Sequence, residues 1–344
     1  MRVGSWTAEN RLRPRLGGPG ISLGDCQGRF RLLKQMTRPL RYIPPGQLVE
    51  VTNRTFQGRY LLLPTKALRP IVIGVLGRAQ RLFSMAVHGF VFASNHYHLL
   101  VSPSDAKQLA EFMAFFQSKL AREINRLYGW SGALWSDRYH SIPIDSHEAT
   151  QVARLRYVVG HGVKEGLVTR AAEWPGANCV LALTEGKAIR GTWCDRTAAY
   201  RASRWGRACQ PRDFEETEEV SLSPLPCWRD LPWQEIRVRV KSLVESVERE
   251  AWARHRLNHT RPIGLRRILG QRPDQRPAAL KSSPRPWFHA RSREGWNRMY
   301  GAYRAFVDAF RLAAEAVARG EKQARFPEGS FPPGRPFVPH QVPG

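Results

Sequence analysis

"FVFASNHYHLLVSP", residues 90–103, holds two apolar runs separated by Ser94 and Asn95, the second opening with His96, Tyr97 and His98. The break reads as a tight turn between two strands, one in FSMAVHGFVFAS and one in HYHLLVS. In a strand, residues two apart face the same way, so His96 and His98 share a face and Tyr97 takes the other. Two neutral imidazoles about 6–7 Å apart at the backbone can converge on one metal ion. Taken alone, the pair also fits a satisfied core histidine beside an exposed one.

Working outward, LVEVTNR alternates like a strand, and PTKALRPIVIGVLGRAQRL has helical spacing that Pro70 is expected to interrupt. After the two central strands, Leu109, Phe112, Met113, Phe116, Leu120, Ile124 and Leu127 mark one buried face of a long helix that Gly129 ends. LWSDRYHSIPI reads as a further strand. Asp145 and Glu148 suit a capping box for a second helix, SHEATQVARLRYVVGHGV. This order predicts an α+β class: a ferredoxin-like, split β-α-β antiparallel sheet with helices on one face.

On that second helix, Val152, Leu155, Val159 and Val163 form the predicted apolar stripe. Tyr157 and His161, four apart, stack on one side roughly opposite it. A tyrosine kept for packing belongs on the stripe, so Tyr157 is either a surface residue or a functional one. Two imidazoles from a strand, with a phenol and a third imidazole from a helix, suit phosphodiester transfer. The metal polarises a nonbridging oxygen and the phenol attacks in line, leaving a 5′-phosphotyrosine and a free 3′-OH. A free phenol ionises near pH ~10, so cations must assist; Arg154 and Arg156 flank Tyr157 in sequence.

The stretches SNHYHLLV, GALWSDRYHS and RYVVGHGVKEGLV resemble the single-tyrosine HUH transposases of bacterial insertion sequences, most nearly their REP-associated tyrosine transposase branch. The resemblance spans roughly residues 46–185. It implies that His96 and His98 are ligands for Mg²⁺ or Mn²⁺, and that Tyr157 is the nucleophile toward single-stranded or hairpin DNA. It also implies a monomer or a homodimer. Where the family carries Gln or Asn as a further ligand, and commonly reads Asn-Pro-Val, this chain reads HGV and offers His161. A three-imidazole site favours Mn²⁺ or a softer ion over Mg²⁺. The alternative is a protein whose third ligand has decayed and which only binds DNA hairpins.

The charge agrees with a polyanionic partner. Fifty-four Lys and Arg against 29 Asp and Glu give +25, an excess that repels itself unless a polyanion offsets it. Lys119, Arg122, Arg126, Arg138 and Lys164, with Arg154 and Arg156, are candidate DNA contacts, each also readable as a solvated surface cation. Trp130, Trp135 and Tyr139 interleave with them. Trp135 suits the core better than base stacking, and Tyr139 is the rival nucleophile. A basic RNA- or ribosome-associated protein is a third reading.

No run reaches ~18 apolar residues, so no spanning helix is expected. Cys26, Cys179, Cys194, Cys209 and Cys227 form no CxxC pair and read as reduced thiols in a cytosolic protein. The HRLNH pair His255 and His259 lacks the Glu of a zincin, and EGK at 185–187 lacks a Walker loop's upstream glycine. Residues 1–37 are expected to be a disordered basic segment, with translation starting at Met36. A linker is expected at 186–233, a helical basic extension at 234–320 and a Pro-rich extended tail at 321–344. That extension should hold helices near 234–254 and 294–319, the second with Trp296, Met299, Tyr303, Phe306, Val307 and Phe310 on one stripe.

Overall fold

The computed structural model describes residues 39–205, 210–278, 286–321 and 323–332. The expectations for residues 1–37, Met36, Cys26, Cys209 and the last residues of the tail lie outside them. Strand β1 (Val49–Arg54) follows the alternation of its sequence: Val49 and Val51 are fully buried on one face, and Glu50, Thr52 and Arg54 take the other. Helix α1 (Leu68–Phe83) runs without the expected interruption. Pro70 sits in its first turn, where backbone N–H groups have no intrahelical acceptor to lose.

Strands β2 (Ala86–Phe92) and β3 (His96–Ser102) meet at the Ser94–Asn95 turn, closed by Ala93 N–H donating to the His96 carbonyl at 2.9 Å. Helix α2 (Ala106–Tyr128) starts where the Asp105 side chain accepts from Gln108 N–H, and stops at Gly129 with φ 60°. Its residues from Leu109 to Ile124 on the expected stripe are fully buried, with Leu127 half-buried at the end. Strand β4 is shorter than expected, His140–Pro143, with Trp135 making only an isolated bridge to Thr55.

The sheet order is β2-β3-β1-β4, every pair antiparallel. With the order β-α-β-β-α-β, this is the ferredoxin-like α+β layout. Tyr97 faces α2 from the sheet: its ring lies 5.2 Å from Phe92 of β2 and 5.9 Å from Phe116 of α2.

The opposite face is covered by α3 (Glu148–Val159) and the single turn α4 (His161–Lys164). The expected Asp145–Glu148 capping box is absent. The cap is His147, whose Nδ1 accepts from Ala149 N–H at 3.3 Å, and buried Asp145 instead accepts from Arg298 at 2.7 Å. The helix breaks at Gly160 because another helix crosses there: a Cβ on Gly160 would lie 2.6 Å from Val247.

Next come α5 (Val180–Glu185), β5 (Ile189–Cys194), α6 (Arg196–Arg204) and β6 (Glu215–Val220). The segment expected to be a linker is therefore structured. β5 and β6 pair antiparallel and dock on α1, where Cβ atoms on Gly74 and Gly191 would collide with the carbonyls of Thr192 and Pro70.

The C-terminal extension contributes α7 (Trp233–Leu257), α8 (Leu265–Leu269) and α9 (Arg293–Ala318). α7 buries Ile236, Val240, Val247 and Ala251. On α9, Met299 and Phe306 are buried, and Phe306 stacks on Tyr42 at 4.5 Å. The described residues of sheet and extension belong to one compact unit that begins at Arg41. No described helix is long and apolar enough to cross a membrane.

Candidate metal centre

β3 presents His96 and His98 on the face away from Tyr97, and α4 brings His161 over them. The three ring centroids form a near-regular triangle with sides of 5.2, 4.9 and 5.0 Å. One ligand nitrogen from each lies within 4.8 Å of the others, and His96 Nε2 is 3.0 Å from His161 Nε2.

Outer partners set which nitrogens point inward. The Asn95 amide donates to the Gly58 carbonyl at 3.1 Å, which turns its oxygen to His96 Nδ1 at 2.7 Å. His98 Nδ1 donates to Glu50 Oε1 at 2.7 Å. Both rings thus carry the proton on Nδ1 and a lone pair on Nε2, the way second-sphere partners fix ligand histidines. Burial, aided by His98 and Arg54, pulls His96 down to about 3. Burial, with His98, His96 and Lys164, holds His161 well below the usual histidine range. His161 Nδ1 is buried and lacks a hydrogen-bond partner. Three imidazoles whose ring nitrogens are gathered this closely fit a divalent metal ion of borderline softness.

Glu50 is the residue that sequence reasoning missed. It is 1% exposed. Burial alone would raise its carboxyl, but Arg154 at 2.7 Å and hydrogen bonds from His289 and His98 outweigh that and hold it well below the usual range. The signal was its position: a carboxylate between Val49 and Val51, on the face opposite theirs.

Tyr157 is half-buried against the core rather than turned away from it, because α3 packs on the sheet and α7 at once. Its ring lies 5.0 Å from His98 and 5.4 Å from His161. Arg154 and Lys164 stand over the ring at 4.3 and 4.1 Å. Burial pushes the phenol up to about 12, with Arg154 opposing and Glu50 and Glu165 adding to the rise.

The other named residues divide sharply. Arg154 and Lys164 are at the site. Arg156 is not beside the tyrosine; it pairs with Glu250 of α7 at 2.6 Å. Lys119, Arg122 and Arg126 ride on α2, across the sheet from the histidines. Lys119 lies near Phe115 and Trp193, Arg126 pairs with Glu123 at 2.8 Å, and Arg122 is exposed. Arg138 is exposed just before β4. Tyr139 is 6% exposed beneath the Arg41 guanidinium at 4.2 Å, with burial raising its phenol. Trp135 packs 5.5 Å from Tyr97 and donates to the Gln117 carbonyl, a core role; Trp130 lies under Arg59. Arg54 was also missed; it pairs in register with His96.

Residues 58–159 match the family model described as "Transposase IS200 like". That span contains His96, His98 and Tyr157, while Glu50, His161 and His289 fall outside it. Among solved structures, the chain is similar to a REP-associated tyrosine transposase bound to a REP hairpin: 18% identity, 42% of this chain, 82% of that one, TM-score 0.34. It is also similar to a candidate transposase from Deinococcus radiodurans R1: 15% identity, 35% of this chain, 94% of that one, TM-score 0.25. The comparison with curated proteins gave no match.

Proposed function

We propose that this chain, whose residues 58–159 match the IS200-like transposase model, cuts and joins single-stranded DNA beside a hairpin, with Tyr157 as nucleophile. The observation that carries this reading is the ring contact between Tyr157 and two of three imidazoles whose ligand nitrogens lie within 4.8 Å of one another. His96, His98 and His161 would hold the ion, Mg²⁺ or, given three nitrogen donors, Mn²⁺. Bound there, it would supply Lewis-acid polarisation of the scissile phosphate.

The chain's own groups account for the rest. The Tyr157 oxygen forms a bond to phosphorus as the bond to the 3′ oxygen breaks, which leaves a 5′-phosphotyrosine and a 3′-OH. The phenol gives up a proton and the departing oxygen gains one, so the step is proton-neutral and reversible. Arg154 and Lys164, over the ring, favour the phenolate that burial disfavours. Arg54, opposite His96 in the sheet, is placed to attract a phosphate.

The test is to mix full-length protein and Mn²⁺ with a 3′-labelled hairpin flanked by single-stranded DNA, then run a denaturing gel. We expect a covalent adduct that chelation abolishes and Tyr157→Phe reduces by at least about a thousandfold. Tight binding with no adduct would leave a hairpin-binding module instead.

A further inference from the structure

A carboxylate removed from water must be compensated by charge or hydrogen bonds at both oxygens. Glu50 uses Oε1 to accept from His98 and Arg154, each at 2.7 Å. Its Oε2 accepts from His289 Nε2 at 2.6 Å. His289 comes from the C-terminal extension, 239 positions along the chain from Glu50.

Its placement is built in several ways. His289 N–H donates to the Pro143 carbonyl, and its own carbonyl accepts from Asp145 N–H, both at 2.9 Å. These bonds make a parallel bridge to Ile144 just beyond β4. Three residues on, Ser292 caps α9. Gly295 then passes so close to Asp145 that a Cβ would sit 2.6 Å from its carboxylate, and Arg298 closes the contact at 2.7 Å. Gln47 ties the same place down, donating to the Ile144 carbonyl at 2.7 Å and reaching Met299 Sδ at 3.4 Å.

We infer that His289 is a positioning residue of the metal centre: by holding Oε2 it fixes the Glu50 carboxylate in the orientation from which Oε1 aims His98, so the C-terminal extension sets the metal affinity of the three-histidine site. Without His289, one oxygen of a buried carboxylate loses its partner and the group turns to recover one. The His98 ring then loses the acceptor that defines its tautomer, and its Nε2 lone pair no longer points reliably at the other two ligands. The inference rests on reading His96, His98 and His161 as ligands. It does not depend on Tyr157 being a nucleophile.

The experiment is calorimetric titration of full-length protein with Mn²⁺, together with the visible spectrum of the Co²⁺-loaded protein. His289→Ala should weaken Mn²⁺ about 10- to 100-fold and change the Co²⁺ bands. His289→Gln, which keeps a donor, should stay within about threefold of the parent. Should the alanine variant fail to fold, His289→Leu against His289→Gln decides, since both fill the ring's space and only one donates. Equal affinities for those two, or wild-type affinity and spectrum in His289→Ala, would overturn the inference. The DNA adduct assay separates the two readings. Metal loss in His289→Ala without any adduct in the parent sinks the nuclease and keeps this role; an adduct unaffected by His289→Ala, with unchanged Mn²⁺ affinity, does the reverse.

Discussion

Tyr97 points from β3 into the rings of Phe92 and Phe116, whereas His96 and His98, its neighbours in the same strand, point at Asn95, Glu50, His161 and Tyr157. One side of the sheet is held by apolar area and shape. The other adds to the apolar contact of Leu155 with Gly89 a buried carboxylate, a guanidinium and imidazoles that must each find a partner. Dispersion and the hydrophobic effect are non-directional, so the first side should answer to volume. Hydrogen bonds to charge are directional, so the second should answer to the loss of a single atom.

The largest stability effect belongs to the apolar side. Phe116→Ala should cost about 3–5 kcal/mol in urea unfolding, while the protein that remains folded binds Mn²⁺ as before. Glu50→Gln should invert that pattern. The amide keeps the volume but loses the charge facing Arg154 and two imidazoles, and titration should show Mn²⁺ affinity reduced about 10- to 100-fold. If Phe116→Ala weakened the metal as much as Glu50→Gln does, the two faces would not be independent.

Two smaller effects probe the back of the apolar side, where β5 and β6 lie on α1. Gly74→Ala adds one methyl against the Thr192 carbonyl and should cost about 1–3 kcal/mol, read as a lower unfolding midpoint. Glu218 is 6% exposed; burial raises its carboxyl, but hydrogen bonds from Arg81 and Arg78 outweigh this and hold it below the usual range. A depressed carboxyl stabilises above its unfolded value and loses that contribution as the pH falls through its folded one. Glu218→Gln should therefore flatten the decline of Tm as the pH falls below about 5. A decline as steep as the parent's would show that the ion pair does not hold the hairpin.

The period-2 and period-3.6 patterns made most of the sheet legible, because each strand and the long α2 show one face to one environment. α3 was harder. It is sandwiched between sheet and α7, so a single stripe described half its packing and Tyr157 looked exposed. The linker was misread for a related reason. Gly74 and Gly77 interrupt an otherwise good helix former, and their purpose, close approach of β5 and β6, appears only once that hairpin is placed. His96, His98, Tyr157 and His161 could be picked out by residue type and spacing. Glu50 and His289 could not be paired, since no local pattern links positions so far apart.

The central claim is geometric: on the polar face of one sheet, three imidazoles from a strand and a helical turn enclose a single ion beside a tyrosine. Anomalous diffraction from crystals of the full-length protein grown with Mn²⁺ tests it directly. The account predicts one strong peak within about 2.0–2.3 Å of a nitrogen from each of His96, His98 and His161. A peak held by other residues, or none at Mn²⁺ concentrations that saturate the protein in solution, would contradict it.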